Sequence, residues 1–169
     1  MNFDLSEDQL AFQNLASEFA QKELAPKAAE WDANSKFPIE VIKKAGDLGF
    51  CSLYVSEEDG GMALGRLDAS IIIEQLSMGC TSTTAFITIH NMATWMISNF
   101  GPEKLRKEWT PSLCSGKKLA SYCLTEANAG SDAASLKTFA KKEGDTYIIN
   151  GSKSFISGSG ATDCLVLMA

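Results

Sequence analysis

Apolar residues recur three and four positions apart through most of the chain before residue 118, which predicts a succession of amphipathic helices. The first helix has a clear start, because Ser6 followed by Gln9 forms a capping-box pattern. Its apolar stripe continues toward about Trp31, with one interruption at Pro26.

Four more helices follow, each bounded by proline, glycine or a loss of periodicity. They are expected at residues 38–49, about 68–78, about 83–99, and from Glu103 to an end or kink at Pro111. The helix over about 83–99 is apolar around most of its circumference, which indicates burial among the others. Residues 50–55 read as a short extended stretch, and residues 57–65 as a glycine-containing loop.

The spacing changes to that of strands after residue 118. Residues 119–124 read as a buried strand, Glu143-Gly144-Asp145 as a turn, and residues 164–168 as a further apolar strand. Asn150-Gly151 is the strongest short hairpin signal in the chain, and it predicts pairing of residues 146–149 with 152–157.

These patterns predict an α+β multidomain fold, with an amino-terminal helical bundle over residues 1–118 and the start of a β domain over residues 119–169. The last strand lacks a closing partner before the sequence stops, and so small a sheet would leave open edges. We therefore expect the β domain to be unfinished and the chain to be a truncated version of a longer product.

Composition narrows the classes of function. Asp and Glu exceed Lys and Arg by 21 to 15, and this acidic balance argues against nucleic-acid binding. No apolar run is long enough to span a membrane. His90 is the only histidine, which excludes a His-rich metal site or a Ser-His-Asp triad within the sequence. Five cysteines without C-x-x-C spacing are expected to be buried thiols, with no metal or disulfide framework.

The first ten residues resemble neither a secretory signal nor an Arg-rich transit peptide, so the protein acts where it is made or a leader is missing. Gly60, Gly61 and Gly65 do not form the glycine pattern of a dinucleotide-binding fold.

The strongest candidate for chemistry is the segment 122–132, where a strand leads into a loop of small residues. Thr125 and Ser131 offer hydroxyl groups, and Gly130 lets the backbone approach a ligand closely. Backbone N–H groups of such a loop can receive the oxygens of a flat heterocycle or a phosphate. The same residues are also compatible with an ordinary strand-to-loop corner in which Thr and Ser satisfy local turns.

Two motifs resemble signatures of the acyl-CoA dehydrogenase family. Leu124-Thr-Glu, two further residues, and Ala129-Gly-Ser-Asp132 are similar to its first signature, and the segment Asn150 to Ser157 is similar to a second element. The likeness covers the whole chain and is greatest for the short branched-chain members, through Cys80-Thr-Ser-Thr-Thr84 among others. One departure is Ala127-Asn128 where family members usually have Pro-Gly, which frees the loop a little.

The resemblance implies that FAD is the cofactor and that a β-barrel-like middle domain carries it. The positions that match the family's FAD contacts are Tyr122, Cys123, Leu124, Thr125, Gly130, Ser131, Phe155, Ile156 and Ser157. Phe155 would lie beside the flavin ring, and Ser131 would also contact the acyl-CoA substrate.

The implied reaction is α,β-dehydrogenation of a short or branched acyl-CoA, in fatty acid or branched-chain amino acid catabolism. Electrons would pass to electron-transfer flavoprotein, and the full-length form would be a homotetramer. The general base is a glutamate of a carboxy-terminal helical domain, expected beyond Ala169 and absent here, so no catalytic residue is assigned and Glu126 is expected to be structural. The expected compartment is the cytoplasm of a bacterium, or the mitochondrial matrix of a eukaryote after removal of a leader.

Two alternatives stay open. The same fold could serve a related acyl-CoA oxidase or flavin monooxygenase, which the oxygen reactivity of the reduced flavin would distinguish. A chain of this kind could also be a non-catalytic helical remnant that binds a CoA thioester or a partner protein.

Overall fold

The first helix begins where the capping box predicts. A computed structural model describes residues 4–169, and the first three residues of the predicted helical domain lie outside the described residues. The Ser6 hydroxyl accepts a hydrogen bond from the Gln9 N–H (3.2 Å), and the Gln9 side chain accepts one from the Ser6 N–H (3.0 Å). Helix α1 then spans Glu7–Phe19.

The interruption predicted at Pro26 takes the form of a widened turn. A π-helical segment, Ala20–Leu24, joins α1 to helix α2, Ala25–Ala33. The Ala25 N–H bonds to the Ala20 carbonyl, five residues back. Pro26 has no N–H to donate, so the wider turn lets the helix continue past it.

Four further helices complete the helical part: α3 Ile39–Asp47, α4 Arg66–Gly79, α5 Thr81–Phe100 and α6 Glu103–Cys114. The sequence predicts that Pro111 ends or kinks the last helix. The helix does not end there, because α6 continues to Cys114. Both the N–H and the hydroxyl of Ser115 bond to the Pro111 carbonyl (3.3 and 2.9 Å). Burial of Leu113 and Cys114 holds this last turn against the core.

Helix α5 lies at the centre of the molecule, as its apolar circumference predicts. It packs against α4, α6 and the two strands nearest the helices. Phe86 and Ile87 are almost fully buried, and the Phe86 ring meets that of Phe37 edge-on, with centroids 4.7 Å apart. These side chains therefore fill the core between the helices.

The segment 50–55 forms buried turns, so the prediction of an extended stretch is wrong. The buried Asn91 side chain, on α5, supplies the hydrogen bonds that a strand partner would supply. Its amide donates to the Phe50 carbonyl (2.7 Å), and its oxygen accepts from the Leu53 N–H (2.7 Å). Buried backbone groups need partners, and one side chain distant in sequence meets that need without a strand.

Four strands follow the helices, and in the described part of the chain they form two separate pairs. Strand β1, Ala120–Cys123, pairs in parallel with β4, Cys164–Leu167. Strands β2, Phe139–Glu143, and β3, Thr146–Asn150, form an antiparallel hairpin whose residues are all exposed. The predicted fold class, a helical bundle followed by a partial sheet, is confirmed, whereas the boundary at 118/119 stays a prediction.

The hairpin turns at Gly144, where φ is +61°, and the prediction of a hairpin turn at Asn150-Gly151 is wrong. After Asn150 the chain leaves the hairpin and packs closely against the residue before β2. A Cβ atom at Gly151 would lie 2.2 Å from the Thr138 hydroxyl oxygen, so only glycine fits there. The Ser154 N–H then bonds to the Thr125 carbonyl (2.8 Å), which draws residues 152–157 toward the end of β1.

No helix formed by residues 4–169 is long and apolar enough to cross a membrane. Three of the five cysteines are buried as expected, whereas Cys80 and Cys164 are only partly buried.

The role of Asn91 leads to a prediction about stability. N91L keeps the side-chain volume but leaves the Leu53 N–H and the Phe50 carbonyl without partners in the core. We expect a loss of about 2–5 kcal/mol in the free energy of unfolding, measured by urea denaturation. N99L makes the same change at an exposed position of α5 and should alter it by less than about 0.5 kcal/mol. Equal losses in the two variants would contradict this role.

Candidate functional site

The first motif leaves β1 and folds into a tight turn. The Glu126 N–H bonds to the Ala129 carbonyl (3.0 Å), and the Ala129 N–H bonds back to the Glu126 carbonyl (3.1 Å). Ala127 and Asn128, the two residues that depart from the family pattern, stand exposed at the corner of this turn. Neither has a positive φ, so the turn does not require glycine at that corner.

The second motif is anchored to the first on both sides of Phe155. The Ser154 N–H bonds to the Thr125 carbonyl (2.8 Å), and the Ser121 hydroxyl donates to the Ser157 carbonyl (2.7 Å). Between these anchors Phe155 has a φ of +57° and its side chain is 94% exposed. A positive φ is strained for a bulky residue, by about 1–3 kcal/mol, and persists only where neighbouring contacts hold it.

A buried ion pair links the same two segments. Lys153 Nζ lies 2.8 Å from the Glu126 carboxylate, with side chains only 8% and 9% exposed. The ammonium also donates to the Leu124 carbonyl (2.9 Å), and the Glu126 carboxylate accepts from the backbone N–H groups of Lys137 (2.6 Å) and Thr138 (2.9 Å).

These donors stabilise the ionised form of Glu126. Lys153 has the largest effect, and with Thr138 and Lys137 it lowers the pKa of the Glu126 carboxyl to about 2. A carboxylate that fixed hydrogen-bond donors hold in its ionised form is a poor base for removing a proton from a substrate. This agrees with the expectation that Glu126 is structural.

The structure distributes the nine expected FAD contacts unevenly. Tyr122, Leu124, Thr125 and Ile156 are half-buried, whereas Gly130, Ser131, Phe155 and Ser157 are exposed. Cys123 is buried, and burial raises the pKa of its thiol.

The hydrogen bonds bring residues 122–125 and 154–157 together, and we call these two segments the two-loop wall. Gly130 and Ser131 lie beyond the turn at 126–129. Within residues 4–169, no hydrogen bond joins them to the segment that holds Phe155.

The chemistry of the two-loop wall suits a flat aromatic ligand. The Phe155 ring offers an exposed face, and the Thr125 and Ser157 hydroxyls make no hydrogen bond to another described residue. An exposed aromatic face beside uncommitted hydroxyls can stack on a heteroaromatic ring and bond to the polar atoms at its edge. The residues present therefore fit a flavin ring. In the described part of the chain, no three His, Cys, Asp or Glu residues are grouped so as to hold a metal ion.

His90 is fully buried and binds the start of β1, the strand that leads into the two-loop wall. Its Nδ1 accepts the Ala120 N–H (3.0 Å), so the proton lies on Nε2, which donates to the Leu113 carbonyl (3.0 Å). Burial lowers the pKa of His90 and favours this neutral form. The ring thus ties α5 and α6 to the start of β1.

Sequence reasoning missed the residues that assemble the two-loop wall, namely Ser121, Lys153 and Ser154. One signal in the sequence could have identified Lys153. It is a charged residue in a motif of small, polar and apolar residues, and the first motif has one acidic residue, Glu126, before its Gly-Ser-Asp turn. The two serines carry no signal that separates them from ordinary loop serines.

Comparison with known proteins identifies the relatives of this chain. Residues 6–117 match the family model described as acyl-CoA dehydrogenase, N-terminal domain, and residues 121–169 match the middle domain of the same family. The mitochondrial isobutyryl-CoA dehydrogenase of Bos taurus is 54% identical over 164 residues, which cover 97% of this chain and 39% of that protein. These matches confirm the resemblance inferred from the two motifs.

Solved structures show the same fold. A chain in the structure of the electron transferring flavoprotein of Acidaminococcus fermentans superposes with a TM-score of 0.91 at 35% identity. PigA with FAD and proline superposes with a TM-score of 0.91 at 31% identity. Each superposition covers 99% of this chain and 44% of the other. The chain spans about two fifths of the length of the curated relatives that it matches.

The lowered pKa of Glu126 predicts a specific dependence of stability on pH. Because the folded-state pKa of about 2 lies below the ordinary value of 4.5, the stability it contributes is present above pH 4.5 and is lost as pH falls toward 2. E126Q lacks this titration, so its deficit in unfolding free energy relative to wild type should shrink from about pH 6 to about pH 3.

Urea denaturation across this range measures the deficit. E143Q, which removes a carboxylate from the exposed pair with Lys141, serves as the control and should cost less than about 1 kcal/mol. A deficit of E126Q that stays constant as the solution is acidified would show that the carboxylate is not stabilised in this way.

Proposed function

This chain belongs to the acyl-CoA dehydrogenase family, and on that premise we propose that it forms one wall of the FAD and acyl-thioester site of a dehydrogenase for short or branched-chain acyl-CoA. The observation that carries the proposal is the exposed Phe155 ring, which is joined through two hydrogen-bonded anchors to the segment holding Thr125. The branched-chain preference rests on the 54% identity to bovine isobutyryl-CoA dehydrogenase.

The residues of the two-loop wall have distinct proposed roles. Phe155 covers the flavin and excludes water from it, while the Thr125 and Ser157 hydroxyls bond to polar atoms at the edge of the ring. FAD, when bound, supplies the acceptor for the hydride that leaves the β-carbon of the substrate. Tyr122, Leu124 and Ile156 add apolar contact, and Cys123 acts through its backbone. Outside the two-loop wall, Gly130 lets the next loop approach the ligand.

Ser131 is the proposed contact with the acyl-CoA substrate. It is exposed and follows Gly130, at which an added Cβ would meet no atom within 4 Å, so the loop has room for a ligand on this side. The α-proton of the substrate needs a base, and Glu126 cannot serve because its carboxylate is committed to Lys153 and two backbone N–H groups. We place that base in a glutamate beyond Ala169.

The wider context follows from the family. We propose that electrons pass to an electron-transfer flavoprotein and that the complete protein is a homotetramer. We propose the mitochondrial matrix as the compartment in a eukaryote and the cytoplasm in a bacterium. The first rests on the names of the similar Bos taurus and Dictyostelium discoideum proteins, which are given as mitochondrial.

Binding of FAD to the chain tests the proposal. We expect FAD fluorescence to be quenched on titration, and F155A to weaken the affinity by about threefold or more through loss of the ring contact. Y147A removes another exposed aromatic side chain, from β3, and should leave the affinity unchanged. Failure of the wild-type chain to bind FAD, or equal effects of both variants, would contradict the assignment of the wall.

Substrate addition tests the assignment of the base. With FAD bound and oxygen excluded, isobutyryl-CoA should perturb the visible flavin spectrum without bleaching it, because no residue of the two-loop wall can accept the α-proton. Bleaching of the flavin when isobutyryl-CoA is added to this chain would place a working base within the chain and overturn the assignment.

A further inference from the structure

We propose that Glu126 and Lys153 are positioning residues that set the spacing and orientation of the two segments facing the flavin. The inference rests on the proposed function, since it concerns how the two-loop wall is presented to FAD. Neither residue needs to touch the cofactor, because each acts through the backbone groups that it holds.

Lys153 is the residue that joins the two segments. Its ammonium donates at once to the Leu124 carbonyl (2.9 Å) and to the Glu126 carboxylate (2.8 Å). These acceptors lie on either side of Thr125, whose own carbonyl accepts the N–H of Ser154, the residue after Lys153. Three consecutive residues of the first motif are therefore fixed against two consecutive residues of the second.

Glu126 brings in a third segment. Its carboxylate accepts from the N–H groups of Lys137 and Thr138, immediately before β2. Both N–H groups lie before the first residue of β2, Phe139. They donate to the carboxylate and not to a neighbouring strand. The exposed hairpin is thus attached to the end of β1 through a carboxylate rather than through a sheet.

Burial gives the pair its specificity. With side chains 8% and 9% exposed, both charged groups are largely shielded from water, and each is stabilised by the other and by the surrounding donors and acceptors. Replacing one partner leaves the other charged group shielded from water without its opposite charge, which is more costly than the pair. The segments are therefore held in one arrangement rather than in several of similar energy.

The consequence for the flavin side is felt at Phe155. Its φ of +57° is unfavourable, and the chain on its amino-terminal side is held by Lys153 and Ser154. Without the Lys153 side chain, only the Ser154–Thr125 backbone bond restrains the loop on this side and only the Ser121–Ser157 bond on the other. The Ser154–Thr125 bond then opens more often, so Phe155 can relax to a negative φ and its ring turns away from the position that faces the ligand.

Three variants test this inference. K153M removes the charge and keeps the length of the side chain, K153R keeps a charge and donors, and E126Q/K153M removes both charges so that no lone charge remains buried. K141M is the matched control, because Lys141 pairs with Glu143 on the exposed hairpin, with side chains 69% and 51% exposed.

Two measurements are made on the complete chain. Hydrogen exchange of the Ser154 amide, referred to amides in the middle of α5, reports whether the segments stay joined. FAD titration and the position of the visible band of bound flavin report how the ring is surrounded.

We expect K153M and E126Q/K153M to speed Ser154 exchange by at least about tenfold, to weaken FAD binding by at least about tenfold, and to shift the flavin band. The α5 amides should stay protected. K153R should remain within about threefold of wild type in both measurements, and K141M should match wild type. The double variant supplies the result if K153M alone does not fold.

The outcomes separate the inference from the function on which it rests. Unchanged Ser154 exchange in the double variant overturns the inference, whatever FAD does. Faster exchange with unchanged FAD affinity also overturns it, because the pair would then hold the loops without serving the ligand. A wild-type chain that does not bind FAD contradicts the proposed function, and the exchange comparison alone then decides whether the pair joins the segments.

Discussion

Near the end of β1, three stretches of chain distant in sequence converge on one pair of opposite charges, Glu126 and Lys153. Most of the contacts that join the segments of the candidate site lie around this pair. Phe155 lies two residues after Lys153, the Thr125 carbonyl that receives the Ser154 N–H lies one residue before Glu126, and the Glu126 carboxylate attaches the β2–β3 hairpin. Two small sheets that share no strand would otherwise have little to fix their relation.

A second constraint operates one layer below, on neighbouring residues of α5. His90 accepts the Ala120 N–H at the start of β1, and Asn91 satisfies the buried turns at residues 50–53. Both side chains are fully buried and polar, and each has its hydrogen-bonding groups matched to backbone groups of other elements or loops. A single turn of the central helix therefore positions both the loop beneath it and the strand that leads into the site.

The helices could be read from the sequence because their signals are local. The capping box at Ser6 and the stop at Gly49 depend on residues a few positions apart, and each lies where the pattern predicts. The errors at residues 50–55 and at Asn150-Gly151 have the opposite origin. Asn91 decides the first and the packing of Gly151 on Thr138 decides the second, and neither contact can be seen in a local pattern. The motifs located the site, but the side chains that join them emerged only from the structure.

The parallel pairing of β1 with β4 also bears on how the chain acquires its structure. Ala120 lies opposite Cys164, so the pair closes only after all the intervening chain, including the hairpin and the loop with Phe155, has been gathered in. The contacts between α4 and α5 join adjacent elements and have far less entropy to lose on closure. We therefore expect the helices to assemble first and the ligand-facing surface to form last. During refolding, the thiol of Cys123 would then stay open to alkylating reagents for longer than that of Cys51, which lies in the helical core.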